Sequence, residues 1–329
     1  MSKTPLLEVR NISVRFQVGG FFGKREYIYA VEDVSFQLKS GESLIILGET
    51  GCGKTTLGKV AIGLLKPSAG QVLYKGEDIW KMDKKKFAKF RRDAQIIHQD
   101  PYQSLNPTRN IFQILSSPLL HYKIAKTKQE AWEKAKILLE QVGLRPPEDF
   151  LYRYPYRLSG GQRQRVAIAR ALSVEPKIVL ADEATSMLDA SLRVSILDLL
   201  LELQSRLNVA YLFITHDVAL ARYFGMNQET IVMYLGNMIE KAKTEEILRN
   251  PLHPYTEALI SATPVPDPKE AKERKLPPLK SLDIPRLVNP PPGCKFHTRC
   301  PYADKICTEK RPEVKEIRKN HYVACWKFS

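Results

Sequence analysis

No apolar run in the chain approaches the roughly 18 residues that a membrane span needs, and Met1-Ser-Lys-Thr4 is not followed by the apolar stretch of a secretion signal. The protein is therefore expected to be made and kept in the cytosol, unless a partner holds it at a membrane. Cysteine is scarce, five in 329 residues, and in a cytosolic setting that argues against a disulfide framework. An internal repeat of useful length is missing, which excludes a solenoid. Also missing is the combination of aromatic and basic side chains with which single-strand nucleic-acid binders stack bases.

Other features are plentiful. The apolar fraction of 43% is enough for a real core, and the length exceeds what one ordinary domain needs. One large α/β domain plus a tail is expected. A formal charge of +15 suits nucleic acid or an anionic membrane face, without choosing between them. Its two densest basic runs, Lys81–Arg92 and Lys269–Lys275, are interrupted by acids or apolar residues, so they read as solvated helix faces.

The chain is organised around Gly48-Glu-Thr-Gly-Cys-Gly-Lys-Thr-Thr56. It follows an apolar run, Ser43–Leu47, and opens a helix-like segment from Thr55 to Leu65, the strand, glycine-rich turn and helix of a P-loop. Gly48, Gly51 and Gly53 let the backbone curl so that the amides of Gly48, Glu49, Thr50, Gly51, Cys52, Gly53, Lys54, Thr55 and Thr56 can face phosphate, with the helix N-terminus behind them. Lys54 would reach the β- and γ-phosphates, and the Thr55 hydroxyl would sit on Mg²⁺. Cys52 is most simply a small residue in the turn.

Residues 6–18 and 30–38 alternate apolar and polar, as half-buried strands of an antiparallel layer do, with a loop at Gly19 and Gly20 between them. A short strand is expected at Gly70–Gly76. From about 78 to 170 the pattern turns helical, as in Lys128–Glu140, and prolines recur at 101, 107, 118, 146, 147 and 155. This reads as a helical insertion into an α/β core. Two apolar runs, Lys177–Asp182 and Val209–Thr215, with a helix at Leu192–Leu207 between them, look like buried parallel strands. Prolines become dense from Pro251 through Pro264, Pro266, Pro268, Pro277, Pro278, Pro285 and Pro290–Pro292. A linker is expected there, dividing residues 1–250 from a cysteine-bearing segment within 251–329.

Asp182 ends one apolar strand and Glu183 follows it, an arrangement in which one carboxylate holds Mg²⁺ through water and the next polarises the attacking water. Leu158-Ser-Gly-Gly-Gln162 carries a capping-box pattern. It lies roughly a hundred residues after the P-loop and about twenty before Asp182-Glu183. With that order, the chain resembles the ABC ATPases: an α/β P-loop fold with a parallel-sheet core, an antiparallel β layer and a helical subdomain.

The resemblance implies roles for particular residues. Ser159, Gly160, Gly161 and Gln162 would complete the nucleotide site of a partner subunit. Gln99 matches the Q-loop, a Mg²⁺ and water contact. His216, in Ile214-Thr-His-Asp217, matches the switch histidine that senses the γ-phosphate, and Ser186–Asp189 matches the D-loop. Met187 stands where Ala is usual, and Ala184 where the family generally has Pro. Phe16 is implied as the ring that stacks on adenine, with Tyr29 as the rival. Glu183 is implied as general base.

Within that family the chain is similar to the oligopeptide and dipeptide importer ATPases. The marks are Gln99-Asp-Pro-Tyr-Gln-Ser-Leu-Asn-Pro107, Tyr154-Pro-Tyr-Arg-Leu-Ser159, Met233-Tyr-Leu-Gly236, His253-Pro-Tyr-Thr256 and the tail cysteines Cys294, Cys300, Cys307 and Cys325. Such importers place two ATPase subunits, often different, at the cytoplasmic face beneath two transmembrane permeases, fed by an extracytoplasmic solute-binding protein. The carried solute is a peptide or a relative such as an oligosaccharide. Spacings of five, six and seventeen residues between the cysteines are longer than a structural zinc knuckle. Four thiolates can hold Zn²⁺ or a [4Fe-4S] cluster, and the resemblance implies the cluster. Since a proline-rich linker precedes them, these cysteines are expected to take no part in ATP chemistry. The competing class is an ABC ATPase acting on ribosome or nucleic acid. Its relatives carry fused ATPase halves or a long coiled coil, which this chain lacks, so no nucleic-acid partner is expected.

Overall fold

The computed structural model describes residues 5–18, 26–263 and 277–328. The expected loop at Gly19 and Gly20, the prolines at 264, 266 and 268 and the basic run Lys269–Lys275 lie outside them. The chain forms two compact units. Of the described residues, one unit comprises 5–6, 39–42 and 77–213, and the other 7–18, 26–38, 43–76, 214–263 and 277–328.

The second unit contains two β layers. β1 (Leu7–Val18) pairs antiparallel with β2 (Glu26–Leu38) and, on its other edge, with β4 (Ala69–Tyr74). Along β1, Leu7, Val9, Ile12 and Val14 are buried while Arg10, Arg15 and Gln17 are not, the inside–outside pattern of an antiparallel layer. The other layer holds β3 (Ser43–Leu47), parallel to β9 (Glu229–Tyr234), then β10 (Asn237–Lys243), β12 (His321–Val323) and β11 (Lys315–Arg318), all antiparallel from β9 onward. β3 is buried at every position, as an apolar strand covered on both faces must be. Helices α1 (Lys54–Ala61), α9 (Val218–Phe224), α10 (Thr244–Arg249), α11 (Pro254–Ser261) and α12 (Lys305–Glu309) complete the described part of this unit.

The other unit holds the helical insertion. It comprises the short β5 (Glu77–Asp78), α2 (Lys84–Asp93), β6 (Ala94–Ile97), α3 (Pro101–Ser104), α4 (Ile111–His121), α5 (Lys128–Gln141), α6 (Glu148–Leu151), α7 (Gly160–Leu172), β7 (Ile178–Asp182) and α8 (Ala190–Leu207). β6 runs parallel to β7. β8 (Ala210–Thr215) is buried throughout and passes along the chain from this unit into the other after Phe213. In α2 only Phe90 and Asp93 are buried, so the Lys81–Arg92 run is a solvated helix face.

The compact units do not part near residue 250. β12 pairs with β10, and the described residues from 251 onward belong to the unit that carries the P-loop. A buried carboxylate explains part of this arrangement. Glu240 on β10 is fully buried and accepts hydrogen bonds from the amides of Leu252 and His253, at 2.7 and 3.0 Å. Its Oε1 also lies 2.7 Å from His321 Nε2 on β12. A carboxylate without water needs such partners, and here they come from two later segments of the chain.

Candidate functional site

The P-loop turn leaves buried β3 at Gly48 and enters α1 at Lys54. Two glycines are required by close approach. A Cβ on Gly48 would lie 2.3 Å from the Met233 carbonyl oxygen, and one on Gly53, at φ 102°, would lie 2.0 Å from that of Ala30. Lys54 is buried, and its ammonium donates to the carbonyls of Gly48 at 2.8 Å and Glu49 at 2.9 Å. Cys52 is buried against Gly48, and burial pushes its thiol pKa up despite Lys54 nearby. Thr50 and Gly51 are exposed, and Thr55 and Thr56 half-buried.

The Met233–Gly236 run supports this turn from beneath. β9 and β10 are joined by Leu235 and Gly236, both at positive φ, 42° and 80°, the conformation of a tight hairpin turn matched to strand twist. Gly236 donates its amide to the Cys52 carbonyl at 2.9 Å, and its own carbonyl accepts from Glu32. Phe16 and Tyr29, on β1 and β2, are exposed by 41% and 39%, so Phe16 is not a core residue and either ring is available for stacking. His216 follows β8 and is exposed, with Asp217 next to it capping α9 through the amides of Ala219 and Leu220.

In the helical unit, strand register assembles the carboxylate site. Ile97 of β6 is paired with Ala181 of β7, which sets residue 99 level with residue 183. Gln99 Nε2 donates to Glu183 Oε2 at 3.1 Å. Asp182 is buried at the end of β7. Glu183 has a φ of 46°, and its carbonyl accepts from both the amide and the hydroxyl of Ser186. A non-glycine residue held there is strained, a condition that clusters at functional sites. Met187 is exposed and Ala184 buried.

Ser159 caps α7, and the capping box with Gln162 is complete, with contacts of 3.3 and 3.1 Å. A Cβ on Gly161 would meet Leu192 at 3.2 Å, whereas one on Gly160 would meet only Leu188, at an ordinary 3.5 Å. Arg163, in the next turn, is a residue that the sequence reading missed. It is buried and donates to the carbonyls of Pro155 and Leu158, both at 2.9 Å, while its guanidinium lies 3.5 Å from the ring centre of Tyr102. Arg170 reaches the Ser104 carbonyl. These contacts join the Gln99–Pro107 and Tyr154–Ser159 segments, so both runs serve one piece of structure.

In the tail, Cys294, Cys300, Cys307 and Cys325 line one cavity of about 200 Å³, together with His253 and Phe296. The Cys294 amide donates to the Cys307 carbonyl at 2.8 Å. Burial pushes the Cys294 thiol up to about 12, with the neighbouring cysteines adding to the effect, and raises the other three as well. Among the described residues, no group of three or more His, Cys, Asp or Glu side chains is placed to hold a single metal ion.

The tail is not isolated from the P-loop, contrary to the expectation drawn from the linker. Arg299 places its guanidinium 3.2–3.4 Å from the Glu49 carboxylate, and the Glu49 amide donates to the Tyr255 hydroxyl at 3.0 Å. Tyr255 belongs to the His253–Thr256 run, whereas nothing in the sequence distinguishes Arg299 from the other basic residues of the tail.

Residues 31–186 match the ABC transporter family, and residues 239–307 match the C-terminal region of oligopeptide/dipeptide transporters. The chain is 44% identical over 327 residues to the oligopeptide transport ATP-binding protein AppF of Bacillus subtilis, covering 98% of each. To OppF of Haemophilus influenzae it is 41% identical, over 99% of this chain and 98% of that one. Among solved structures it is similar to the dimeric ATP-binding cassette MJ0796 in a post-hydrolysis state with ADP and Pi. The TM-score there is 0.64 at 32% identity, over 72% of this chain and 98% of the other. It is also similar to cbiO1 of Clostridium perfringens, part of the cbiONQ transporter complex, with a TM-score of 0.63 at 27% identity, over 75% and 92%.

Proposed function

Because the chain belongs to the ABC ATPases of the oligopeptide/dipeptide importer type, we propose a division of labour among its residues for ATP-driven import. The protein is an ATPase subunit of such an importer, with hydrolysis coupled to transport. Lys54, Thr55 and the amides of Gly48–Thr56 hold the phosphates and Mg²⁺. Asp182 holds Mg²⁺ through water, Glu183 takes the proton of the attacking water, and Gln99 and His216 orient that water. Phe16 or Tyr29 stacks on adenine. The observation that carries this reading is the Gln99–Glu183 hydrogen bond, set by the Ile97–Ala181 register at the tip of a buried strand. Glu183→Gln keeps the shape and removes the base. The assembled transporter carrying it should bind MgATP while turnover falls by about 10²-fold or more. Near-normal hydrolysis would sink the assignment.

Ser159, Gly160, Gly161 and Gln162 serve the ATP of a second ATPase subunit, a different chain in many importers. Supporting this, a Cβ on Gly160 would meet, among the described residues, only Leu188 at an ordinary 3.5 Å, so they leave room beside this helix N-terminus. The subunits work beneath two transmembrane permeases at the cytoplasmic face, fed by an extracytoplasmic binding protein. Among the described residues no helix is long and apolar enough to cross a membrane. The solute is an oligopeptide or dipeptide, or a related solute such as an oligosaccharide, selected outside this chain. Residues 1–250 are the ATPase segment and 251–329 the cysteine-bearing one, a division of roles rather than of compact units.

For the tail, a [4Fe-4S] cluster held by Cys294, Cys300, Cys307 and Cys325 is the favoured cofactor, with Zn²⁺ the alternative. The supporting observation is the donor set. Four thiols whose ionisation is opposed by burial, and in Cys294, Cys307 and Cys325 also by a neighbouring cysteine, line one cavity of about 200 Å³, and a bound cation would favour their ionised form. A single zinc ion needs its sulfurs converging at about 2.3 Å on one point. The preference for a cluster over zinc comes from the resemblance to the peptide importers. Its contribution would be structural, supplying folding free energy to the tail.

A further inference from the structure

We propose that Arg299 is a positioning residue for nucleotide binding, acting through Glu49, so that the cysteine-bearing turn and the P-loop form one coupled element. This rests on the reading of Gly48–Thr56 as the phosphate-binding turn.

Glu49 is held at three points by three different partners. Its carboxylate faces both terminal nitrogens of Arg299 at 3.2–3.4 Å, its amide donates to the Tyr255 hydroxyl at 3.0 Å, and its carbonyl accepts from the Lys54 ammonium at 2.9 Å. The Glu49 backbone is thus fixed by Tyr255 and Lys54, and its side chain ties that backbone to Arg299. The Arg299 side chain is 7% exposed, and its guanidinium lies within 6 Å of the ring centres of Tyr234 and Phe296. A pair this poorly solvated, with several contacts on its fork, constrains geometry in a way that a rim pair does not.

The other end of the link is equally fixed. The amides of Arg299 and Cys300 both donate to the Phe296 carbonyl at 2.9 Å, and the Arg299 carbonyl accepts from Lys280. The turn that presents Cys300 to its cavity therefore presents Arg299 to the P-loop. If nucleotide orders the P-loop through Glu49, the same link orders this turn, and the coupling runs equally in both directions.

Hydrogen exchange on the full-length chain tests this. MgADP should slow exchange of the Arg299 and Cys300 amides severalfold in the wild type. Glu49→Gln should weaken MgADP binding by about tenfold, the scale of one charge-assisted contact, and abolish the slowing at nucleotide saturation. Arg299→Lys should retain part of both effects. Combining Glu49→Gln with Arg299→Met should weaken binding no more than either change alone, since both cut the same link. Wild-type chain that binds MgADP with unchanged exchange in the turn would overturn the coupling alone. Absence of MgADP binding by the wild type would overturn the nucleotide reading and the coupling with it. If Arg299→Met fails to fold, the wild-type and Glu49→Gln exchange data still decide.

Discussion

Glu183 concentrates a conflict between stability and chemistry in one residue. Its φ of 46° belongs to the left-handed region, which costs an L-residue about 1–2 kcal/mol and glycine almost nothing. In this conformation the carboxylate accepts from Gln99 just beyond the buried strand. Glu183→Gly and Glu183→Ala both delete the carboxylate, so both should be inactive, yet the glycine variant should be the more stable by about 1 kcal/mol. Denaturant midpoints of the two variants measure this directly. In an ordinary helical position the order would reverse, so an alanine variant equal to or better than glycine would show that the backbone at 183 is not strained.

At the scale of elements, α11 illustrates how a helix end can carry a pH dependence. His253 is its N-cap: the imidazole Nδ1 accepts the Tyr255 amide at 3.0 Å, while the His253 amide donates to Glu240. Burial pushes the His253 pKa down to about 4, against a smaller opposing pull from Glu240. The unfolded chain takes up a proton below about 6.5 that the folded chain refuses, so this contribution is present above 6.5 and lost as pH falls toward 4. The loss should reach about 2 kcal/mol between pH 7 and 5. His253→Asn can still cap but does not titrate, and its urea midpoint should fall less over that interval. Equal pH dependence in both proteins would refute the assignment. The same scale shows what the sequence made legible. β3, β7 and β8 announced themselves by unbroken apolar runs, and α5 and α8 by helical spacing, because those signals are local. β12 is three residues long and pairs with a strand some eighty positions earlier, which no local pattern can report. In the candidate site, the P-loop, Asp182, Glu183 and Gln99 were readable as motifs. Arg163 and Arg299 were not, since an arginine's role depends on which carbonyls or carboxylates the fold brings to its fork.

Across the whole molecule, the tail is part of the unit that carries the P-loop. Chain purified without oxygen should be coloured, with the broad visible absorbance of a thiolate-ligated iron–sulfur cluster. Colourless protein with stoichiometric zinc would replace the cluster, and metal-free protein would remove both cofactors. Cys300→Ser should then loosen the Phe296–Cys300 turn and, through Arg299, weaken nucleotide binding, where an independent tail would leave it intact. The late placement of His321 adds a temporal consequence. Glu240 is buried with His321 as one of its partners, and a nascent chain emerges N-terminal residues first. Until residues 321–323 leave the ribosome, that carboxylate lacks its imidazole and β10 lacks β12 on its outer edge. The unit that carries the P-loop therefore gains these partners only once residues 321–323 are made, and a stop codon placed just before residue 321 should destabilise it although the P-loop and every ATP motif are already present.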